Sequence, residues 1–196
     1  MESVSVSNSQ PRVQSLVSWK SWIYVIVPAA ALIVAIAIKG VFLDYTHVLF
    51  GGMWTGIDLY MGLVLGPILG KVSPQARTEI IKRLVPVMLF LMPSIATVAI
   101  TAGIYLAMSE GIFTLSLPVI IAAGIIVAVL TIQGFGIFLP NEVRIFLELN
   151  REKPDIQKMS RLAMMNFRLS GVQAIFQIAI IFIMANIAMN NYYLHF

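Results

Sequence analysis

At 196 residues the chain has the length of one ordinary globular domain, yet 59% of it is hydrophobic and only 11% is charged. A water-soluble fold must cover itself in polar side chains, and 13 basic plus 9 acidic residues are too few for that. The net charge of +4 sits mainly between apolar runs, which argues for membrane topology over nucleic-acid binding, and the lack of cysteine excludes disulfides, iron–sulfur clusters and thiolate metal sites.

In chain order, residues 1–18 form a polar tail expected on the cytoplasmic side. The apolar run after it is too long for a signal-peptide core and no A-x-A pattern follows, so a retained anchor helix is expected. Residues 19–196 then read as one transmembrane domain. Five stretches suffice to cross about 30 Å of hydrocarbon, which takes roughly 20 helical residues. They run approximately over 19–43, 47–70, 84–108, 115–139 and 169–190. In lipid each backbone amide must be satisfied within its own segment, so all five are helices.

Orientation follows from the connections. The tail region carries Arg12 and Lys20, the second connection Lys71, Arg77, Lys82 and Arg83, and the fourth Arg144, Arg151, Lys153, Lys158, Arg161 and Arg168. Five spans put these twelve of the thirteen basic residues on one side, leaving Lys39 in the first connection. That side is expected to be cytoplasmic, with the C-terminus outside. The resulting fold class is an all-α, five-helix membrane bundle in the cell membrane.

The stretch 141–168 is expected to form a cytoplasmic helical hairpin. Val143, Phe146 and Leu147, then Leu162, Met165 and Leu169, recur at helical spacing. The fourth helix should project to about Asn150 and the fifth start near Pro154, with Asp155 at its positive end. A Glu142–Arg168 pair is the expected pin at the base of this hairpin.

The second span holds the most unusual pattern. Gly62, Gly66 and Gly70 form one small-xxx-small series and Gly52 with Gly56 another, as expected of faces that pack closely against other helices. Asp58 lies in the same span, about 16 Å below His47 and near the midplane, where a carboxylate is expensive and is usually functional or paired. Thr97 matches it in depth. Two readings stay open: a neutral structural acid hydrogen-bonded to a hydroxyl or to a carbonyl freed by Pro93, or a proton or cation site.

His47 opens that span on the outer side, and His195 follows the last span on the same side. With Met108 and Met189 at comparable depth they form a candidate haem or copper set, beside the alternative of plain interfacial histidines. Gln133 and Gln177 fall at similar depths and are expected to hydrogen-bond across helices. Trp19, Trp22, Tyr24, Tyr45, Tyr192 and Tyr193 read as interfacial belts. No nucleotide-binding, nucleophile-elbow or zinc-protease signature appears.

The segment 47–105 has His47 starting a helix, then Gly51-Gly52, Trp54-Thr55-Gly56, Gly66-Pro67, a basic loop from Arg77 to Arg83, and Thr101-Ala102-Gly103. It resembles the CopD-like (copper-resistance D related) group of small polytopic membrane proteins over about a third of the chain. The resemblance implies a bundle handling haem b, copper or a redox partner at its outer face, with His47 as the residue carried over. Further histidines and methionine motifs of such proteins are absent here. Two other classes remain beside it: an accessory subunit of a larger respiratory or transport complex, and a proton-coupled transporter. Membrane lipid and a second copy or other membrane subunits are the expected partners, and no nucleic acid is.

Overall fold

The computed structural model describes residues 19–193, so the polar tail and the extreme C-terminus, His195 included, lie outside the described residues. Five long helices account for nearly all of them: α1 (Trp19–Ile38), α2 (Val41–Lys71), α3 (Pro74–Ser109), α4 (Pro118–Leu149) and α5 (Ile156–Ala188). Each is long and apolar enough to cross a membrane. The chain is accordingly a multi-pass membrane protein, all-helical over the described residues. Its outward surface fits that medium, since Ile33, Leu63, Ile125 and Ile175 stand exposed in mid-helix.

Several boundaries differ from the sequence expectation, each for a local reason. The first corner falls at Lys39 and Gly40, whose φ angles of 62° and 53° end α1 abruptly. Asp44, Tyr45 and Thr46 therefore belong to α2, with Asp44 in its first turn beside the positive end of the helix dipole. His47 lies in the second turn of α2 instead of opening it. α3 begins at Pro74, well before the apolar run, because Ser73 caps it by accepting from the Ala76 amide at 3.3 Å. Asp155 caps α5 in the same way, accepting from the Lys158 amide at 2.9 Å, and Pro154 stands just outside the helix rather than in its first turn.

The turns 71–74 and 149–156 lie at the same end of the bundle. Arg77 shows this directly: its Nε donates to the Leu69 carbonyl at 2.7 Å and one terminal nitrogen donates to Ser160 Oγ at 3.2 Å. The core there is built from Leu69, Ile81, Val85, Ile145, Met159 and Phe167. A second apolar cluster of Phe50, Trp54, Ile95, Val98 and Leu130 fills the bundle further from that end. α1 packs on α3 and α2 from outside.

Two helices are locally widened. α2 passes through a π-helical turn at Tyr60–Leu65 and α4 through one at Gly134–Phe138. A proline follows each of them. Pro67 lacks the amide hydrogen that would bond the Leu63 carbonyl, and Pro140 leaves the Gly136 carbonyl in the same position. Each freed carbonyl lies inside a π turn, where the backbone spacing relaxes to five residues.

Candidate functional site

The two π turns flank one cleft. It is enclosed by α2, α3, α4 and α5, offers about 70 Å³ of space that water can occupy, and has Asp58, Glu142, Asn166, Ser170 and Gln173 among apolar walls that include Trp54, Met88, Phe135 and Phe167. Space of that size admits a few water molecules where polar partners are present. Asp58 and Glu142 are the titratable groups lining it, and no Lys or Arg does.

Asp58 is 1% exposed. Its Oδ2 accepts hydrogen bonds from the side-chain amides of both Gln173 and Gln177, each at 2.9 Å. The two glutamines are four residues apart on α5, so one helix face delivers both donors. Their carbonyl oxygens are buried and have no hydrogen-bond partner among the described residues. Amide geometry keeps each such oxygen within about 5 Å of Asp58 Oδ2. Those two carbonyls leave acceptor capacity that a proton on Asp58 or a water would use.

Glu142 enters the cleft from α4, just past its π turn. The expected Glu142–Arg168 pair is not formed: the ion pairs among the described residues are Lys82–Glu79, Arg151–Glu148 and Lys158–Glu148. Because α4 runs unbroken to Leu149, Glu142 is turned into the bundle, while Arg168 faces a groove on another side of α5. The pin of the following turn is Glu148, which sequence reading missed. It accepts from Lys158 Nζ at 2.8 Å, Arg151 at 3.2 Å and the Asp155 amide at 3.2 Å. The signal available was a lone acid in the last turn of a helix, followed by basic residues. Asn141 and Asn166 add a buried bond of 2.9 Å between α4 and α5, and Asn166 also donates to the Phe138 carbonyl of the π turn.

Thr97 does not join Asp58. It is exposed, and its hydroxyl donates to the Pro93 carbonyl of its own helix at 2.7 Å. Depth alone suggested the pairing, but Pro93 and Ala96 line the cleft whereas Thr97 is turned away from it. The expected Gln133–Gln177 bond is also absent. Gln177 serves Asp58, and the Gln133 carbonyl is buried without a partner among the described residues.

The second helix's glycines divide. Gly62, Gly66 and Gly70 face α5: Gly62 meets the backbone of Gly171, a Cβ on Gly66 would stand 3.1 Å from Phe167 Cβ, and one on Gly70 3.9 Å from Met164. A Cβ on Gly52 or Gly56 would have nothing within 4 Å, so neither packs against another helix among the described residues. Helical spacing and the intervening π turn put the two series on different faces.

His47 is held structurally. Its Nδ1 donates to the Ala99 carbonyl at 2.8 Å, and the ring occupies the space a side chain at Gly103 would need, with Cε1 2.6 Å from a Cβ placed there. A carbonyl only accepts, so Nδ1 carries the hydrogen in this bond. Met108 and Met189 are 56% and 79% exposed. No group of three or more His, Asp or Glu suited to a metal occurs among the described residues. Comparison with known protein families, with curated proteins and with solved structures finds no match for this chain.

Proposed function

We propose that this protein binds and releases a proton at Asp58 in the middle of the membrane, with Glu142 as the second carboxyl of the same site, in a proton-coupled transport role. The observation that carries this reading is the carboxyl of Asp58, bonded by two buried amides whose own carbonyls lack partners, in a cleft shared with Glu142 and free of basic side chains. A carboxylate without a cation at such depth costs at least ~2.5 kcal/mol, which a proton relieves. The orientation we adopt places the N-terminus and the turns 71–74 and 149–156 in the cytoplasm. Its support is the clustering of basic residues in those connections. The start of α5 and the end of α4 then form a hairpin at the cytoplasmic face of the cell membrane.

Infrared difference spectroscopy on proteoliposomes tests the site. A pH step should change the band of a protonated carboxyl, and Asp58→Asn should remove that change. A spectrum that ignores pH, or one identical in the variant, overturns the reading.

A second reading, as a subunit of a homo-oligomer or of a larger membrane complex, is favoured by the open face around Gly52 and Gly56. Gly52→Leu should then weaken the assembly seen by crosslinking, while the monomer folds normally. The haem or copper centre implied by the CopD-like resemblance rests on less, namely the second ring nitrogen of His47, which the Ala99 bond does not use. A Soret band or stoichiometric copper, lost in His47→Ala, would establish it.

A further inference from the structure

A groove of about 610 Å³ lies at the basic end, between the start of α3 and the first turns of α5. It is separate from the Asp58 cleft and plays no part in the proton reading. Its charged walls are Arg77, Arg161 and Arg168, its apolar floor includes Met164 and Met165, and no acidic residue lines it. Arg161 and Arg168 form none of the ion pairs found among the described residues. Three arginines facing one groove without a counter-charge repel one another, so an anion is the missing element.

Arg77 is already fixed for that purpose. Its guanidinium is tied to the carbonyls of Leu69 at 2.7 Å, Gly70 at 3.2 Å and Val72 at 3.5 Å and to Ser160 Oγ at 3.2 Å, which leaves one of its five N–H groups and its charge for a ligand. An ion arriving there meets a charge whose side-chain freedom has already been lost. The N-terminus of the long α3, at Pro74, borders the same groove and adds its positive dipole end.

The arrangement along α5 identifies the kind of anion. Arg161, Met164, Met165 and Arg168 follow at helical spacing on one face, with the two arginines about 10 Å apart along the axis. Arg168 directly precedes the apolar run from Leu169, so the groove lies where a span of about 20 residues starting there would meet the headgroups. A soluble phosphate would use the arginines and leave the methionines bare. A molecule with a phosphate at one end and hydrocarbon at the other uses both.

We propose that this groove holds the headgroup of an anionic phospholipid, its phosphate on the Arg77, Arg161 and Arg168 side chains and its first acyl carbons on Met164 and Met165. Basic pockets between spanning helices at the cytoplasmic face are suited to such lipids.

The test uses the full chain, delipidated in neutral detergent and titrated in turn with phosphatidylglycerol, phosphatidylcholine and inorganic phosphate, following bound lipid by native mass spectrometry and the thermal midpoint. Phosphatidylglycerol should be retained and raise the midpoint, with neither control doing so at equal concentration. The double variant Arg161→Gln/Arg168→Gln should weaken phosphatidylglycerol binding about tenfold or more, whereas Lys82→Gln, at an exposed pair with Glu79, should not. Equal retention of phosphatidylcholine by the unaltered protein overturns the proposal without recourse to any variant. So does an equal effect of inorganic phosphate, which would mark a soluble-anion site, and so does undiminished binding by the double variant.

Discussion

Gly62 of α2 and Gly171 of α5 meet backbone to backbone, with no side chain between the two helices at that point. The contact is one-sided in its demands. A methyl group on Gly62 would run into the Gly171 main chain, while one on Gly171 would stand 3.7 Å from the Gly62 Cα, an ordinary contact. Gly62→Ala should therefore cost about 1–3 kcal/mol, the usual range for overpacking. Gly171→Ala should be tolerated, and Gly52→Ala, facing open space, should change the monomer's stability little. Thermal unfolding of the three variants in one detergent checks the order. Equal losses at all three positions would contradict the close approach.

The same helix pair carries Asp58 and its amides, and stability reports on that contact independently of function. Gln173→Leu removes one of two amide donors to a carboxyl that is 1% exposed, and should destabilise by about 1–3 kcal/mol. In a background of Asp58→Leu the same change should cost far less, because no buried acceptor is left waiting. A double-mutant cycle on unfolding midpoints measures the difference. Additive effects would mean the bond contributes nothing.

Glu142 stands about 10 Å from the end of α4, whereas Asp58 stands about 20 Å from the end of α2, and both helix ends lie at the basic end of the bundle. Glu142 is thus the shallower of the two carboxyls on the cleft. Glu142→Gln should slow proton exchange at Asp58 after a pH jump by about tenfold or more, leaving the end point intact. Glu142→Asp should recover part of the rate. Time-resolved infrared spectroscopy reads both, and a wild-type rate in Glu142→Gln would falsify a relay through this side chain.

At the basic end, one carboxylate ties three groups across the turn between α4 and α5. Glu148→Ala breaks its bonds to Lys158, Arg151 and the Asp155 amide together. The turn 150–155 should then be cut several-fold faster in limited proteolysis, with the spanning helices unaffected. Lys153→Ala, which takes no part in those bonds, is the control. Equal cleavage of all three proteins would remove Glu148 from this role.

Much of the helix layout was legible because lipid imposes it. Runs of apolar residues long enough to cross hydrocarbon must satisfy their own amides, and five such runs are what the structure contains. The helix ends were less legible. Hydropathy reports where a helix is greasy, not where its backbone bonds stop, so α3 begins at the Ser73 cap and α2 at the Gly40 corner, both outside the apolar runs.

Within the site, type and depth were readable but partnership was not. Asp58 stood out as an acid in the middle of a long apolar helix whatever its neighbours. Thr97 matched its depth and points elsewhere, while Gln173, which the sequence reading missed, provides one of its two amide bonds. Depth is a coordinate along one axis, and a hydrogen bond also needs the right rotation about it. That rotation depends on crossing angles, and in α2 and α4 on the π turns that shift every later residue around the helix.

The sequence by itself thus determined the apolar character of the chain, the number of long apolar helices and the presence of an acid within one of them. Those follow from composition and from the cost of burying unpaired backbone. Only the tertiary structure decided that Glu142 faces Asp58's cleft instead of Arg168, that Gly62 and not Gly52 is the close-packing glycine, and that His47 is seated on Gly103. Each of those depends on which helix faces are turned toward one another, and that is settled when packing of all five helices is satisfied at once.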